Sequence, residues 1–263
     1  MKKAIIISGF FRTYKKTLKS IYEFLKTLDN CDIFIVYDLS EKKEELNEII
    51  NLLKPKKIKG VKSTYNCDYL NMWYKISESY LLCKNYMEET NIKYDMVMRL
   101  RLDLYINNEN KVNLNKINIE KNTVYTFNFD NFIIRLIIKL INKFNKKLLL
   151  QDIFLGDINV MNLLCVEYFK ILKLNYECLN KKSAESSFYI FTDLLDIKIN
   201  TLNIYYILYS FKSNLTGYSL YKLKKYPIFF KDYIIHFFYI IGIFFIFLYL
   251  FIYKYVNNNS LRR

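Results

Sequence analysis

The stretch Tyr94-Asp-Met-Val-Met-Arg-Leu-Arg-Leu-Asp-Leu-Tyr105 decides how the fold of this chain is interpreted. Its core has the pattern of a β-strand, whose side chains alternate between two faces. One face carries only Met and Leu, while the other carries Arg99, Arg101 and Asp103 in file. Charges on a strand inside an α/β sheet are costly to bury unless they pair with each other or hold a ligand. We interpret this row as the centre of a functional site; the alternative is an edge strand with a solvated salt bridge.

The composition bounds the class of protein and its partners. The chain has 263 residues, 52% of them hydrophobic, which is enough for the core of one large domain. Its net charge of +15 is compatible with a nucleic-acid or anionic-membrane partner, but the lysines are spread along the whole chain. We expect no nucleic-acid partner. The alternative, a basic nucleic-acid-binding protein, predicts an affinity that falls steeply with salt.

Several kinds of chemistry are excluded by residue counts. The five cysteines include no CxxC pair, which argues against a disulfide framework or a zinc knuckle. The only histidine, His236, lies in a hydrophobic tail, so Ser-His-Asp catalysis, Cys-His catalysis and a His-ligated metal are excluded from the preceding body. The five glycines form neither GxGxxG nor GxxxxGK[ST], which excludes a dinucleotide fingerprint and a P-loop.

The hydrophobic pattern predicts an alternation of strands and helices before the central stretch. Strands are expected at 4–7, 32–37 and 58–61, and helices at 14–28, 41–53 and 69–89. Further strands are expected at 124–129, 151–156 and 197–206, with helices at 159–174 and 183–195. Short connections predict an α/β fold with a mostly parallel sheet flanked by helices. Ligands bind beyond the carboxyl ends of such strands, where Gly9, Arg12, Asp38 and Asp103 are expected to lie.

Two segments predict contact with a membrane. Residues 233–253 carry no charge and are long enough to cross the hydrocarbon core as a transmembrane helix. The charges that flank this span favour a cytosolic body, so we expect a membrane protein that crosses once near its C-terminus. In the segment 132–150, basic residues share one helical face, which is typical of a helix on an anionic membrane; the alternative is an ordinary surface helix. Those residues are Arg135, Lys139, Lys143, Lys146 and Lys147.

A series of short motifs in a fixed order resembles a group of glycosyltransferases, many of them viral or from surface-polysaccharide loci, with a GT-A-like nucleotide-sugar fold. The series covers about residues 4–200 and consists of Ser8-Gly9 with Arg12-Thr13, Trp73-Tyr-Lys75, Arg99-Leu-Arg-Leu-Asp103, Asp152-Ile-Phe-Leu-Gly156, Val160-Met161 and Ala184-Glu185. The resemblance implies a GT-A-like domain at 1–210. A basic juxtamembrane linker at 211–232, the transmembrane helix at 233–253 and a polar tail at 254–263 would follow.

The resemblance also implies a role for the central stretch. In GT-A enzymes a strand ends in Asp-x-Asp, which holds a divalent metal bound to the diphosphate of the nucleotide sugar. Here the triplet is Arg101-Leu102-Asp103, so the second Asp is kept and Arg replaces the first. Asp103 is therefore a candidate ligand of Mn²⁺ or Mg²⁺. Alternatively, Arg101 and Arg12 neutralise the diphosphate directly, because a guanidinium fork matches phosphate oxygens.

The remaining site residues follow from the same resemblance. Asp152 and Glu185 are, with Asp103, the candidate catalytic carboxylates; the alternatives are a turn Asp and a first-turn helical Glu. The expected substrate-binding residues are Gly9, Arg12, Asp38, Trp73, Lys75, Arg99 and Arg101, although Trp73 could be a core residue and Lys75 a solvated one. The expected activity is transfer of a sugar from a nucleotide-sugar donor to a hydroxyl of a glycan or lipid-linked glycan. The alternative is a catalytically inactive, membrane-anchored protein of the same fold that binds a glycan or a partner.

Overall fold

A computed structural model describes residues 1–11, 13–107, 113–129, 153–179 and 191–208. Several predictions concern residues outside these ranges: Arg12, Asp152, Glu185, the basic segment 132–150, and everything from 209 onward, including the span 233–253. Within the described ranges, no helix is both long enough and apolar enough to cross a bilayer.

The first hundred residues alternate strictly between strands and helices, as their hydrophobic periodicity predicts. The elements are β1 (Lys3–Gly9), α1 (Tyr14–Lys26), β2 (Cys31–Asp38), α2 (Lys43–Leu53), β3 (Lys57–Val61), α3 (Asp68–Thr90) and β4 (Met96–Leu100). The six elements before β4 lie within about two residues of their predicted bounds.

The later elements form the second half of the sheet. They are β5 (Leu104–Asn107), a 3₁₀ turn (Leu114–Lys116), β6 (Thr123–Phe129), β7 (Phe154–Gly156), α4 (Ile158–Asn162), a π-helical turn (Leu163–Glu167), α5 (Tyr168–Leu179) and β8 (Lys198–Leu208). The predicted helix 159–174 therefore exists but contains a π-helical turn. Of the predicted helix 183–195, only residues 191–194 are described as helical.

The eight strands form one sheet in the order β3-β2-β1-β4-β7-β6-β8-β5. The four strands from β3 to β4 are parallel to one another, as predicted. The other half is mixed, because β7 runs antiparallel to both β4 and β6, and β5 runs antiparallel to β8. The prediction of a mostly parallel sheet therefore holds best for the first four strands.

The central stretch is not a single strand through residue 105. β4 loses its β1 partner after the pair Ile7↔Leu100, and the chain turns at 101–103. It then enters β5, which pairs with β8 at the far end of the sheet. β4 itself lies between β1 and β7, so the alternative of a solvated edge strand is wrong.

The sheet separates two apolar clusters, and β4 contributes to both. Met96, Met98 and Leu100 pack with α1 and α2 on one face. Val97 packs on the other face with α3 and with the helices α4 and α5. The predicted alternation of the stretch is confirmed, and it leaves Arg99 buried on the α3 side.

The strand order defines where a ligand would bind. The chain passes from β1 through β2 to β3 in one direction and then returns to place β4 on the opposite side of β1. The crevice beyond the carboxyl ends of β1 and β4 is therefore the topological switch point of the sheet, the usual ligand position in such folds.

Candidate functional site

A cavity of about 190 Å³ lies at this switch point. Three elements build its wall: the end of β1, the first half of α3, and β4 with the turn that follows it. The lining residues are Ser8, Gly9, Phe10, Asp68, Met72, Lys75, Arg99, Arg101, Leu102 and Asp103. Three of these side chains are cationic and two are carboxylates, so the wall offers charged hydrogen-bond donors to a ligand with acceptor oxygens.

Gly9 is the last residue of β1 and lies beside this cavity. Its φ of +135° lies in a region that residues with a side chain rarely adopt. A Cβ at Gly9 would meet no atom within 4 Å among the described residues, so the backbone conformation, and not crowding, requires glycine.

Arg101 and Asp103 form a bidentate ion pair on the cavity wall. Arg101 Nε donates to Asp103 Oδ1 at 2.8 Å, and Nη2 donates to Oδ2 at 2.5 Å. The turn that carries them is tied to α1, because the buried Thr17 hydroxyl donates to the Leu102 carbonyl. The fork–fork geometry fixes the plane of the guanidinium as well as its position.

Arg99 places a permanent positive charge in the buried part of the wall. Its side chain is 1% exposed, and its guanidinium carbon lies 5.8 Å from the centre of the Phe154 ring. A guanidinium stays charged at any ordinary pH. Arg99 therefore keeps a positive charge beside the cavity.

Lys75 supplies the third cation and is held by Asp38 at the end of β2. Its Nζ lies 2.7 Å from Asp38 Oδ2 and 3.9 Å from the centre of the Phe10 ring. Burial raises the pKa of Asp38, but hydrogen bonds from Lys75, Ser40 and Ser63 outweigh it and hold that pKa well below its usual range. Asp38 therefore stays ionised and positions Lys75; it does not itself line the cavity.

Ser8 presents a buried hydroxyl that the described part of the protein leaves without a hydrogen-bond partner. Buried polar groups are almost always hydrogen-bonded, and leaving one unpaired costs about 1–3 kcal/mol. Because Ser8 lines the cavity, a ligand oxygen there could supply the missing bond.

The structure brings most of the predicted binding residues together. Gly9, Lys75, Arg99, Arg101 and Asp103 line one cavity, although they are as much as 94 positions apart along the chain. The arrangement supports the interpretation of the charged row as the centre of a site. It does not by itself assign a catalytic role to any of these residues.

Trp73 does not lie in the cavity wall. It is fully buried, stacks on Phe154 with ring centres 6.3 Å apart, and meets the Tyr168 ring edge-on at 4.6 Å. This is the core position that the sequence left open as the alternative. Lys75, two residues further along α3, points to the cavity because the helix turns about 200° between them.

Sequence reasoning did not select five of the lining residues, which are Ser8, Phe10, Asp68, Met72 and Leu102. Asp68, Met72 and Lys75 lie at positions i, i+4 and i+7 of α3, which is one helical face. That spacing could have revealed Asp68 and Met72 once Lys75 was selected. Nothing in the sequence indicated that Phe10 would meet the Lys75 ammonium.

The donor set at Asp103 differs from that of an Asp-x-Asp metal site. Among the described residues, no group of three or more His, Cys, Asp or Glu side chains is arranged to hold a metal. Both oxygens of Asp103 accept hydrogen bonds from Arg101 instead.

No protein-family model and no curated protein matches the sequence. Among solved structures, the chain is similar to the glycosyltransferase GlyE of Streptococcus pneumoniae TIGR4, with 12% identity and a TM-score of 0.45 over 77% of this chain and 45% of that one. It is also similar to the bifunctional glycosyltransferase WbbM, with 12% identity and a TM-score of 0.49 over 76% and 38%.

A third similar structure is a glycosyltransferase involved in the glycosylation of the major capsid of PBCV-1. It has 10% identity and a TM-score of 0.40 over 77% of this chain and 82% of that one. The chain spans less than half the length of the GlyE and WbbM structures. We therefore infer the function of this protein from its own site.

Proposed function

We propose that this protein is a glycosyltransferase that moves a sugar from a nucleotide-sugar donor to a hydroxyl acceptor on a glycan or lipid-linked glycan. The observation that carries the proposal is the cavity at the switch point, where Lys75, Arg99 and Arg101 converge. A nucleoside diphosphate is an anion whose phosphate oxygens match guanidinium and ammonium donors. The motif order of the sequence supports a nucleotide sugar over other anions.

The chemistry requires two kinds of group. The acceptor oxygen forms a bond to the anomeric carbon, the bond from that carbon to the diphosphate oxygen breaks, and its electron pair stays on the diphosphate. Cations preorganised in the cavity would stabilise this developing charge. The acceptor proton would pass to a general base, for which the motif resemblance proposes Asp152 or Glu185, both outside the described residues.

Asp103 is the residue of this site whose substitution should be most informative for catalysis. We expect Asp103→Asn to abolish transfer while the protein stays folded, because Arg101 would lose a charged partner that fixes its guanidinium. Sugar transfer can be measured with a radiolabelled donor, and folding can be checked with an unfolding curve followed by Trp73 fluorescence. Full transfer by the variant would contradict the role of Asp103.

A second candidate function is a catalytically inactive protein that binds a glycan or a partner at a membrane. It is favoured by the Arg101–Asp103 pair, since both oxygens of the carboxylate kept from the metal motif are engaged within the protein. This candidate predicts normal donor binding without turnover against any acceptor.

We further propose that the protein is attached to a membrane through residues 233–253, with the basic segment 132–150 at the surface and the body on the cytosolic side. The uncharged length of the first segment and the basic face of the second support this. Removal of residues 233–263 should release the protein from sedimented membranes. Retention of the truncated protein would contradict the assignment of the anchor.

A thermal-shift screen across nucleotide sugars, with and without Mn²⁺, tests the proposed function. A ligand that binds only the native state raises the melting temperature. We expect at least one nucleotide sugar to do so in the natural protein, and to do so less in Arg101→Gln. Lys170→Gln is the matched control, because it removes the same charge from an exposed pair with Glu167. If no nucleotide sugar or nucleoside diphosphate raises the melting temperature, the proposal is wrong.

A further inference from the structure

We propose that donor binding in this protein needs no divalent metal, because the Arg101 guanidinium, held by Asp103, occupies the electrostatic role of the ion. This inference rests on the proposed function and concerns the cofactor requirement of the same cavity. The motif resemblance left two alternatives open: a Mn²⁺ or Mg²⁺ ion bound by Asp103 and the donor diphosphate, or direct neutralisation of the diphosphate by arginine.

The first step concerns the lone pairs of Asp103. A carboxylate that ligates a metal directs oxygen lone pairs at the ion. Here each Asp103 oxygen accepts a charge-assisted hydrogen bond from Arg101, at 2.8 and 2.5 Å. A metal on Asp103 would have to compete with a bidentate pair whose geometry fits the carboxylate well.

The second step concerns charge. A divalent ion on Asp103 would lie directly beside the Arg101 guanidinium, and like charges at contact distance disfavour each other, most strongly where water is scarce. In an Asp-x-Asp site the first aspartate faces the metal; here that position holds Arg101, which reverses the sign of the side chain. Arg101 therefore replaces one of the two metal ligands and competes with a metal for the other ligand, Asp103.

The third step concerns what the diphosphate would meet. Arg99 and Lys75 line the same cavity as Arg101, and both are 1% exposed. The wall thus presents three cations, of which Lys75 is paired with Asp38 and Arg101 with Asp103. We infer that the diphosphate accepts hydrogen bonds from these cationic groups directly, with Asp103 acting as a positioning residue for Arg101.

Calorimetry with inorganic pyrophosphate, added in EDTA or as its Mn²⁺ complex, tests this inference on the full-length protein. In EDTA we expect saturable binding to the natural protein, about tenfold or more weaker binding to Arg101→Gln, and unchanged binding to Lys170→Gln. Natural protein that binds only the Mn²⁺ complex would overturn the metal-free inference and leave the proposed function standing. Natural protein that binds neither form, nor any nucleotide sugar, would overturn both.

The variant Arg101→Asp gives the sharpest contrast, since it places a second carboxylate at the position of the Asp-x-Asp ligand. We expect it to lose pyrophosphate binding in EDTA and to regain it with Mn²⁺. Binding by Arg101→Asp in EDTA at the natural affinity would overturn the inference.

Arg101→Lys covers the case in which the aspartate variant does not fold. It keeps the charge but loses the fork, so we expect pyrophosphate binding in EDTA to weaken about three- to tenfold, with no gain from Mn²⁺. Recovery of this loss by Mn²⁺ would overturn the inference, because it would show that a metal site persists beside residue 101.

Discussion

The parallel strands have buried charged side chains near both of their ends. We call the side where these strands begin the amino edge and the side where they end the carboxyl edge, and the surroundings of the buried charges differ between the two. At the amino edge, Lys3 is 1% exposed and its Nζ donates to the Asp29 carbonyl at 2.7 Å. Asp32 accepts a hydrogen bond from the Tyr94 hydroxyl at 2.7 Å and lies 3.6 Å from the Lys2 ammonium. These charges have protein partners that fit them and serve to close the end of the sheet.

At the carboxyl edge, the buried charges lie in the wall of the cavity. Lys75 and Arg99 are as deeply buried as Lys3, yet both line a cavity, and the Ser8 hydroxyl beside them has no hydrogen-bond partner in the described part of the protein. The difference teaches that burial of a charge does not distinguish a structural from a binding role. The cavity and the Ser8 hydroxyl are the features that make the carboxyl edge the candidate site.

The largest expected effect comes from breaking the buried pair at the carboxyl edge. Asp38→Asn would leave the Lys75 ammonium buried without its counter-ion, which typically costs about 3–5 kcal/mol of unfolding free energy. At the amino edge, Lys56→Gln removes a half-exposed partner 3.7 Å from Asp32 and should cost about 1 kcal/mol or less. Urea unfolding curves followed by Trp73 fluorescence measure both. Equal losses would contradict the distinction between the two pairs.

The same pair predicts an acid-dependent contribution to stability. The folded-state pKa of Asp38 lies well below its usual range, mainly because Lys75 and the two serines overcome the effect of burial. The stabilisation from the carboxylate is therefore complete above the unfolded-state pKa of about 3.9 and is lost as the pH falls below it. The difference in unfolding free energy between the natural protein and Asp38→Asn should be constant from pH 7 to about pH 5 and should narrow in stronger acid. A difference in unfolding free energy that narrows as the pH rises above 7 would contradict this prediction.

The smallest expected effects compare one hydroxyl from each edge. Ser8→Ala removes a hydroxyl that has no partner in the described part of the protein, so stability should be unchanged or slightly higher, while nucleotide-sugar binding weakens by about 1 kcal/mol, roughly fivefold. Tyr94→Phe removes a satisfied bond to Asp32, so stability should fall by about 1–2 kcal/mol with binding unchanged. Melting temperatures and calorimetric titrations of the two variants test this crossed pattern. A Ser8→Ala variant that loses stability and keeps full nucleotide-sugar binding would contradict the prediction.

The parallel half of the fold was predictable because its signals are local. Short connections and the hydrophobic pattern indicated β1 to β4, and the alternation in the central stretch correctly separated Met96 and Met98 from Arg99. The break after Leu100 was not predictable, since it depends on where β1 stops pairing, which is a property of another segment. The antiparallel insertion of β7 between β4 and β6 is non-local in the same way.

The site was predictable in part for a related reason. Residues at strand ends converge at one edge of a parallel sheet, and this rule grouped Gly9 and Asp103 from the sequence alone. Which side chains of α3 face the cavity depends on how the helix is rotated about its axis. The sequence does not give this rotation, so it could not show that Lys75 lines the cavity while Trp73 lies in the core. Burial of Lys3 could not be inferred either, because a lysine at the start of a first strand is usually solvated.

The most direct test of the central claim is a methyl NMR titration of the protein labelled at its six methionines. Met72 lines the cavity, whereas Met96 and Met98 pack on the opposite face of the sheet, and a Met72→Leu variant assigns its signal. On addition of a nucleotide sugar that raises the melting temperature, the Met72 signal should shift saturably, with the signals of Met96 and Met98 nearly unchanged. Saturable binding that leaves the Met72 signal in place would contradict the claim that the cavity between β1 and β4 is the donor site.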